Sequence, residues 1–228
     1  MELFRLSPDI AFTATQKSDI SLHTNLIHVK VIIEHLEPEL SKWILYEYES
    51  AYNILGDSVL ITGVKIDGIP STEKRFHEVL DPSKVVILDP LAEEKLSRKD
   101  LTENEAIIIG GILGDHPPRG RTKEYLSDNF PQAKKRNLGK DQFTIDSTAL
   151  LIKELLLGKK KVKYAFMPKI LCKYKEAESE IDLPFAYVLL DGKPYIYPKL
   201  FSFLTKGLKE CIVNFDNVKE FEIVENSV

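Results

Sequence analysis

The chain has 228 residues, enough for one large domain or a domain with an appendage. With 43% apolar and 29% charged residues it is ordinary globular material, and no run approaches the ~18 consecutive apolar residues of a membrane-spanning helix. A net charge of −4 argues against a protein whose affinity comes mainly from neutralising phosphates, because such binding rests on Lys and Arg releasing counterions.

Residues 1–28 show no sustained period of 2 or 3.6 and are expected to form a poorly ordered extension. The stretch carries Glu2, Asp9 and Asp19 and lacks an apolar centre, which fits neither a secretory signal nor an Arg-rich transit peptide, so a cytoplasmic location is expected. The two cysteines, Cys172 and Cys211, lie far apart in no metal-like spacing and read as reduced core thiols.

The first strong element is "VKVIIEH", Val29 to His35, a β-branched run suited to burial on both faces. After Pro38 the residues Leu40, Ile44, Tyr48, Ala51, Tyr52 and Leu55 repeat at helical spacing, and Gly56 supplies a left-handed stop. Next come a strand in "SVLITGV", a helix in "STEKRFHEVL" after Pro70, and a buried strand in "KVVILDP". A short helix from Ala92 to Asp100 is expected to lead into the strand "AIIIGGIL"; "RTKEYLSDNF" reads as a helix and "AKKRNLG" as a short strand. Thr144 or Asp146 can cap the helix "STALLIKELLLG", which ends on Gly158, and "KVKYAF" reads as a final core strand. This alternation predicts an α/β fold with a mostly parallel sheet. From Met167 onward the pattern changes, and Asp191–Gly192 within "AYVLLDGKPYIYP" predict a type I′ hairpin turn in a small accessory region.

Ligands of open α/β sheets bind at the carboxyl ends of strands, where loops leave a crevice and helix N-termini present amides. Three polar motifs fall at such ends: "IIEHLEP", "ILDPLA" and "GGILGDHPPRGR". The last is neither a triphosphate loop, which needs a Lys after its second glycine, nor a G-x-G-x-x-G dinucleotide loop. Gly110, Gly111 and Gly114 suit close approach of backbone to a bulky ligand, with a plain structural turn as the alternative. His116 and Asp115, with Glu34 and His35, offer acid–base groups; without an HExxH or paired CxxC pattern, no metal is expected. Arg119 and Arg121 can clamp a carboxylate or phosphate, or be solvated loop charges. The basic runs Lys159–Lys163 and Lys134–Arg136 read as solvated faces.

The strings "VIIEHLEPELSKWILYEY", "ILDP", "GGILGDHPPRGRTKE", "LGKDQFTIDS" and "LPFAYVLLDGKP" together resemble a small archaeal and eukaryotic branch of the SPOUT-superfamily methyltransferases, over roughly residues 30–200. The resemblance implies a Rossmann-like domain over 29–166 that ends in a trefoil knot, an accessory region over 167–228 with a β-hairpin, and S-adenosylmethionine as cofactor. In such a fold the cofactor would touch Leu88, Asp89, Pro90, Gly110, Gly111, Gly114, Leu138, Gly139, Gln142, Phe143 and Thr144. The eukaryotic member of the branch is a protein-arginine methyltransferase acting on a small-subunit ribosomal protein, whereas archaeal members are described as RNA methyltransferases. Thr144 and Asp146 stand where the third motif of the RNA enzymes has Arg and Glu.

An arginine acceptor is a cation with a pKa above ~12, so its site needs carboxylates to hold it and receive a proton, whereas an RNA site wants cations and stacking aromatics. Glu34, Asp89, Asp115 and Asp146 are all expected near one end of the sheet. The favoured reading is methyl transfer to an arginine of a ribosomal protein, with Asp115 and Glu34 binding the guanidinium, His116 orienting it or relaying a proton, and Arg119 anchoring Asp115 or the cofactor carboxylate. The alternatives are an RNA methyltransferase and a cofactor-binding ribosome-assembly protein without turnover. Monomer and homodimer both stay open.

Overall fold

A β-branched run, Val31 to Ile33, can be buried on both faces, and within β1 (Lys30–His35) it is: Val31 and Ile33 pack into one core while Ile32 packs into another. The structure, a computed structural model, describes residues 29–174 and 177–225; the extension expected over residues 1–28 lies outside the described residues. Helix α1 (Lys42–Leu55) follows, opened by the Ser41 side chain, which accepts from the Ile44 amide at 3.3 Å, and closed at Gly56 with φ of 58°. Then come β2 (Val59–Thr62), β3 (Ser71–Thr72), β4 (Val85–Leu88), α2 (Arg98–Glu103), β5 (Ala106–Gly111), β6 (Lys134–Arg136) and α3 (Ile145–Leu156), the last capped by the Thr144 side chain. The strands form a six-stranded sheet in the order β3-β2-β1-β5-β4-β6, and every pairing in it is parallel.

Side-chain alternation along these strands divides the interior in two. Val31, Ile33, Val86, Leu88, Ile107 and Ile109 face α1 and α3, meeting Ile44, Tyr48, Ala149 and Ile152. Ile32, Ile87 and Ile108 face the other way, toward Phe76, Leu126 and Ala133.

Three expected elements differ. Residues 71–80 are not helical: the Ser71 hydroxyl accepts from the Ile66 amide at 2.8 Å and donates to the Ile66 and Ile69 carbonyls, which holds Ser71 beside β2 as a strand, and only a 3₁₀ turn forms over Phe76–Glu78. The helix expected from Ala92 to Asp100 begins only at Arg98, because Ser97 and Asp100 form a reciprocal capping box there and Lys95 and Ser97 bridge to Asn137 and Val224. The segment read as a helix over "RTKEYLSDNF" is a short helix whose last turn, Lys123–Ser127, is π-helical.

Beyond α3 the chain turns antiparallel. Strand β7 (Lys161–Phe166), expected in the parallel sheet, pairs instead with β10 (Ala186–Leu190) and β13 (Val218–Glu222). β10 also pairs antiparallel with β11 (Lys193–Pro194) across Asp191 and Gly192, both at positive φ. β8 (Lys169–Tyr174), β9 (Ala177–Asp182) and β12 (Lys209–Asn214) make a third sheet, while α4 (Pro198–Leu204) lies between β11 and β12 in the chain. The reading of two reduced thiols is corrected here: a shift in the β8–β12 register between Lys209 and Ile212 brings Cys211 against Cys172, and the two are disulfide-bonded. No helix among the described residues is long and apolar enough to cross a membrane.

Candidate active site

The carboxyl ends of β4 and β5 stop short of α3, and the gap between them is a cleft of about 550 Å³, its open mouth included. The cleft takes Leu88, Asp89 and Pro90 from the end of β4, Gly110 from β5, Leu138 and Gly139 from the loop after β6, and Gln142 and Phe143 from the approach to α3. Ile109, Ile112 and Ile145 make the rest of its wall apolar, while Thr122, Asp141 and Thr148 add polar groups.

Its polar members are held in place by the surrounding fold. Asp89 accepts from the Ser127 hydroxyl at 2.6 Å and the Leu91 amide at 2.8 Å. The Asp141 carboxylate accepts from the Tyr164 hydroxyl at 2.8 Å and forms an ion pair with Lys219 at 2.8 Å. The Ala186 amide donates to the Gln142 carbonyl at 2.8 Å, and the Phe143 ring meets Tyr164 edge-on at 4.8 Å. Tyr164, Lys219 and Ala186 belong to β7, β13 and β10, so the antiparallel region fixes the loop that closes the cleft.

A second cavity, of about 510 Å³ with its open mouth likewise included, shares Ile112, Phe143 and Ile145 with the first. Its own walls are Trp43, Glu47, Leu113, Gly114, Thr144 and Phe185. Glu47 is buried: its Oε1 accepts from Trp43 Nε1 at 2.7 Å and its Oε2 from the Ile145 amide at 2.9 Å. Behind it Asp146 accepts from the Ser50 hydroxyl at 2.9 Å, the Thr144 hydroxyl at 2.7 Å and the Ser147 amide at 2.8 Å. Burial, and then the charge of Asp146, push the Glu47 carboxyl well above the usual carboxylate range; burial pushes Asp146 up as well, its hydrogen bonds opposing.

Residues 30–211 match the model of a single protein family, described as protein arginine N-methyltransferase SFM1-like. The chain belongs to the SFM1-like family. It is 32% identical over 214 residues to the protein arginine N-methyltransferase SFM1 of Saccharomyces cerevisiae, an alignment covering 81% of this chain and 98% of that protein. Among solved structures it is similar to the yeast arginine methyltransferase SFM1 complexed with SAH, at 27% identity and a TM-score of 0.64, over 81% of this chain and 98% of that one. The SAM complex of the same yeast protein is similar at 27% identity and a TM-score of 0.63, over 81% of this chain and 93% of that one.

Of the positions expected to hold a cofactor in this SFM1-like chain, Leu88, Asp89, Pro90, Gly110, Leu138, Gly139, Gln142 and Phe143 come together around the first cleft. Gly111, Gly114 and Thr144 do not. A Cβ on Gly111 would strike the Tyr48 hydroxyl and the Glu34 backbone, so this glycine serves packing between β1, β5 and α1. Gly114 and Thr144 line the second cavity, and a Cβ on Gly114 would meet the Phe185 ring and the Gln142 amide.

None of the four positions expected to act on the acceptor, Asp115, His116, Glu34 and Arg119, lines either cavity. Glu34 is buried and fully engaged, ion-paired with Arg75, accepting from the Thr62 hydroxyl and from the Phe76 amide at 2.9 Å. Asp115 is ion-paired with Arg121 at 2.7 Å, and Arg121 reaches Glu37 and donates to the Leu113 carbonyl as well. Arg121, not Arg119, therefore anchors Asp115, and the ring of contacts clamps the loop between β5 and the π turn. His116 and Arg119 stand exposed on that loop. His35 is buried with its Nδ1 2.8 Å from the Tyr48 hydroxyl, and burial lowers its pKa, which suits a neutral structural imidazole. Among the described residues no three His, Cys, Asp or Glu side chains are grouped as metal ligands.

The residues that sequence reasoning missed are Trp43, Glu47 and Phe185. Glu47 carried a signal: it sits between Ile44 and Tyr48 on the buried face of α1, where helical spacing calls for an apolar side chain.

Proposed function

We propose that this chain transfers a methyl group from S-adenosylmethionine to an arginine side chain of a protein. The observation that carries the reading is the pair of adjoining cavities at the carboxyl edge of the sheet, one with apolar walls interspersed with fixed polar groups, the other ending in a buried carboxylate. Ile109, Ile112, Leu138 and Phe143 offer the flat apolar walls an adenosine needs, and Asp141, Gln142 and Thr122 offer polar groups for its ribose and amino-acid ends. Leu88, Asp89, Pro90, Gly110, Leu138, Gly139, Gln142 and Phe143 would hold the cofactor, which supplies a methyl group already activated on a sulfonium. What remains for the protein is to align the acceptor nitrogen with the methyl carbon and to neutralise charge.

The finer reading is that residues 29–166 form a SPOUT domain whose loops after β4, β5 and β6 are knotted around the cofactor, with 167–228 as an accessory region. The hydrogen bonds from β7, β10 and β13 to the loop at 141–143 support such a supporting role. The substrate in this reading is a small-subunit ribosomal protein met in the cytoplasm.

Incubating the chain with methyl-labelled cofactor and, separately, ribosomal proteins and ribosomal RNA tests the proposal. Label in a ribosomal protein is the expected outcome. Label in RNA alone contradicts it, and tight cofactor binding with no transfer to either would favour an assembly role without turnover.

A further inference from the structure

The loop at 137–143 forms one wall of the first cleft, and both of its ends are tied to the last stretch of the chain. At one end Lys219 of β13 donates to both Asp141 oxygens, at 3.0 and 2.8 Å, and the Tyr164 hydroxyl donates to Oδ2 at 2.8 Å. The Lys219 ammonium also lies 4.2 Å from the centre of the Phe166 ring, so a carboxylate and an aromatic face fix it together. At the other end the Asn137 amide donates to the Glu94 carbonyl at 2.8 Å, and the Leu96 amide donates to the Asn137 carbonyl at 3.0 Å. Leu96 is held in turn by Val224, whose amide donates to its carbonyl at 3.3 Å and whose own carbonyl accepts from the Arg98 amide at 2.9 Å. Both anchors, Lys219 and Val224, come from beyond residue 211, where the match to the family ends.

The first anchor also sets a charge. Among the described residues the cleft is lined by the carboxylates of Asp89 and Asp141 and by no Lys, Arg or His. Asp89 accepts from a neutral hydroxyl and a neutral amide, whereas Asp141 has an ammonium against it that reaches it from behind the cleft wall. The Asp141 side chain is only 12% exposed, so without Lys219 its charge would face the cleft with little water to screen it. S-adenosylmethionine carries an ammonium, a carboxylate and a sulfonium, and S-adenosylhomocysteine lacks the sulfonium charge. An unanswered carboxylate on the wall would therefore favour the first over the second.

Resting on the reading of this cleft as the cofactor site, we propose that Lys219 is a positioning residue of that site: acting through Asp141, it aims the loop at 139–143 and sets how strongly the cleft distinguishes the cationic cofactor from its neutral product. The last strand thereby becomes part of the cofactor site without lining it.

Calorimetric titration of the full chain with each of the two compounds tests the assignment. Lys219→Met keeps most of the side chain's length and loses its charge, on an edge strand where the side chain is 38% exposed and a substitution is tolerated. It should weaken S-adenosylhomocysteine by about 10-fold or more and raise the ratio of the two dissociation constants, product over cofactor, by about 5-fold or more. Asp141→Asn, which leaves the Lys219 charge unanswered, should move that ratio the other way, and the double variant should bring it back to within about 2-fold of wild type. Lys219→Arg keeps the cation and should hold the ratio at the wild-type value. In turnover Lys219→Met should raise KM for S-adenosylmethionine more than it lowers kcat. Lys161→Met removes the ion pairs to Glu220 and Glu222 on the same strand, away from the cleft, and should change neither affinity. Both ligands weakened equally by Lys219→Met, or neither weakened, overturns the role of Lys219 and leaves the cofactor reading intact. A wild-type chain that binds neither compound overturns that reading, and the role of Lys219 with it.

Discussion

Glu47 is the residue at which stability and chemistry pull apart. The fold favours the neutral forms of Glu47 and Asp146, so their contribution to stability is full below ordinary carboxylate pKa values and is lost as the pH rises through the raised ones. The melting temperature of the cofactor-free chain should therefore fall as the pH is raised toward the alkaline side. Glu47→Gln should flatten that fall, and an unchanged slope would show that Glu47 is not the group responsible. Binding a guanidinium needs the ionised form, so kcat/KM should rise with pH through the same range. The groups facing Glu47 are Asp146 from α3, Tyr187 from β10 and Tyr48 on its own helix, and of these Asp146 is the one whose charge raises it. Asp146→Asn should accordingly move the acid limb of the rate profile to lower pH; a limb that stays in place would remove Glu47 as its origin. Gly111 makes a separate point about packing: Gly111→Ala should cost about 1–3 kcal/mol of stability by urea titration, as overpacking does, because its Cβ has only the Tyr48 hydroxyl and the Glu34 backbone to displace.

The elements differ in how plainly the sequence declares them. β1, β4 and β5 are short β-branched runs buried on both faces, and α1 and α3 carry a helical apolar stripe with a Ser41 or Thr144 cap, so local chemistry and tertiary environment agree. They disagree over 71–80, where hydrogen bonds from Ser71 to residues 66 and 69 and the ion pair of Arg75 with Glu34 outweigh a helical pattern that is only local. β7 looked like its parallel predecessors because an apolar run does not reveal the direction of its neighbour; what decides is the later strands β10 and β13, which flank it antiparallel. The site divides the same way. The loops after β4 and β5 that line the first cleft were legible because they sit at strand ends, and the stretch at 138–143 through its family resemblance, but Glu47 and Trp43 lie within a helix and Phe185 comes from far along the chain, and only folding joins them. In the third sheet the disulfide closes a separation of 39 residues, which on chain-entropy grounds stabilises by about 3–4 kcal/mol. Cys211→Ser should lower the unfolding free energy in urea titration by that amount and leave cofactor affinity unchanged, since neither β8 nor β12 contributes to either cavity. A large loss of cofactor affinity would show that the third sheet is coupled to the cleft.

Across the whole molecule, a parallel sheet presents its carboxyl edge to two adjoining cavities, and the antiparallel region beyond α3 braces the loop between them through Asp141, Gln142 and Phe143. The first cavity suits a ligand that is part apolar and part polar; the second places beside aromatic walls a buried carboxylate that has no cationic partner among the described residues. A nucleobase would not need that carboxylate, whereas a guanidinium does, which is why an arginine is the acceptor this arrangement favours. The most direct test is the chemical identity of the methylated product. After incubation with methyl-labelled cofactor and total ribosomal subunits, acid hydrolysis of the protein fraction should release the label as methylarginine. Label recovered as a methylated nucleoside, with none in methylarginine, would contradict the account.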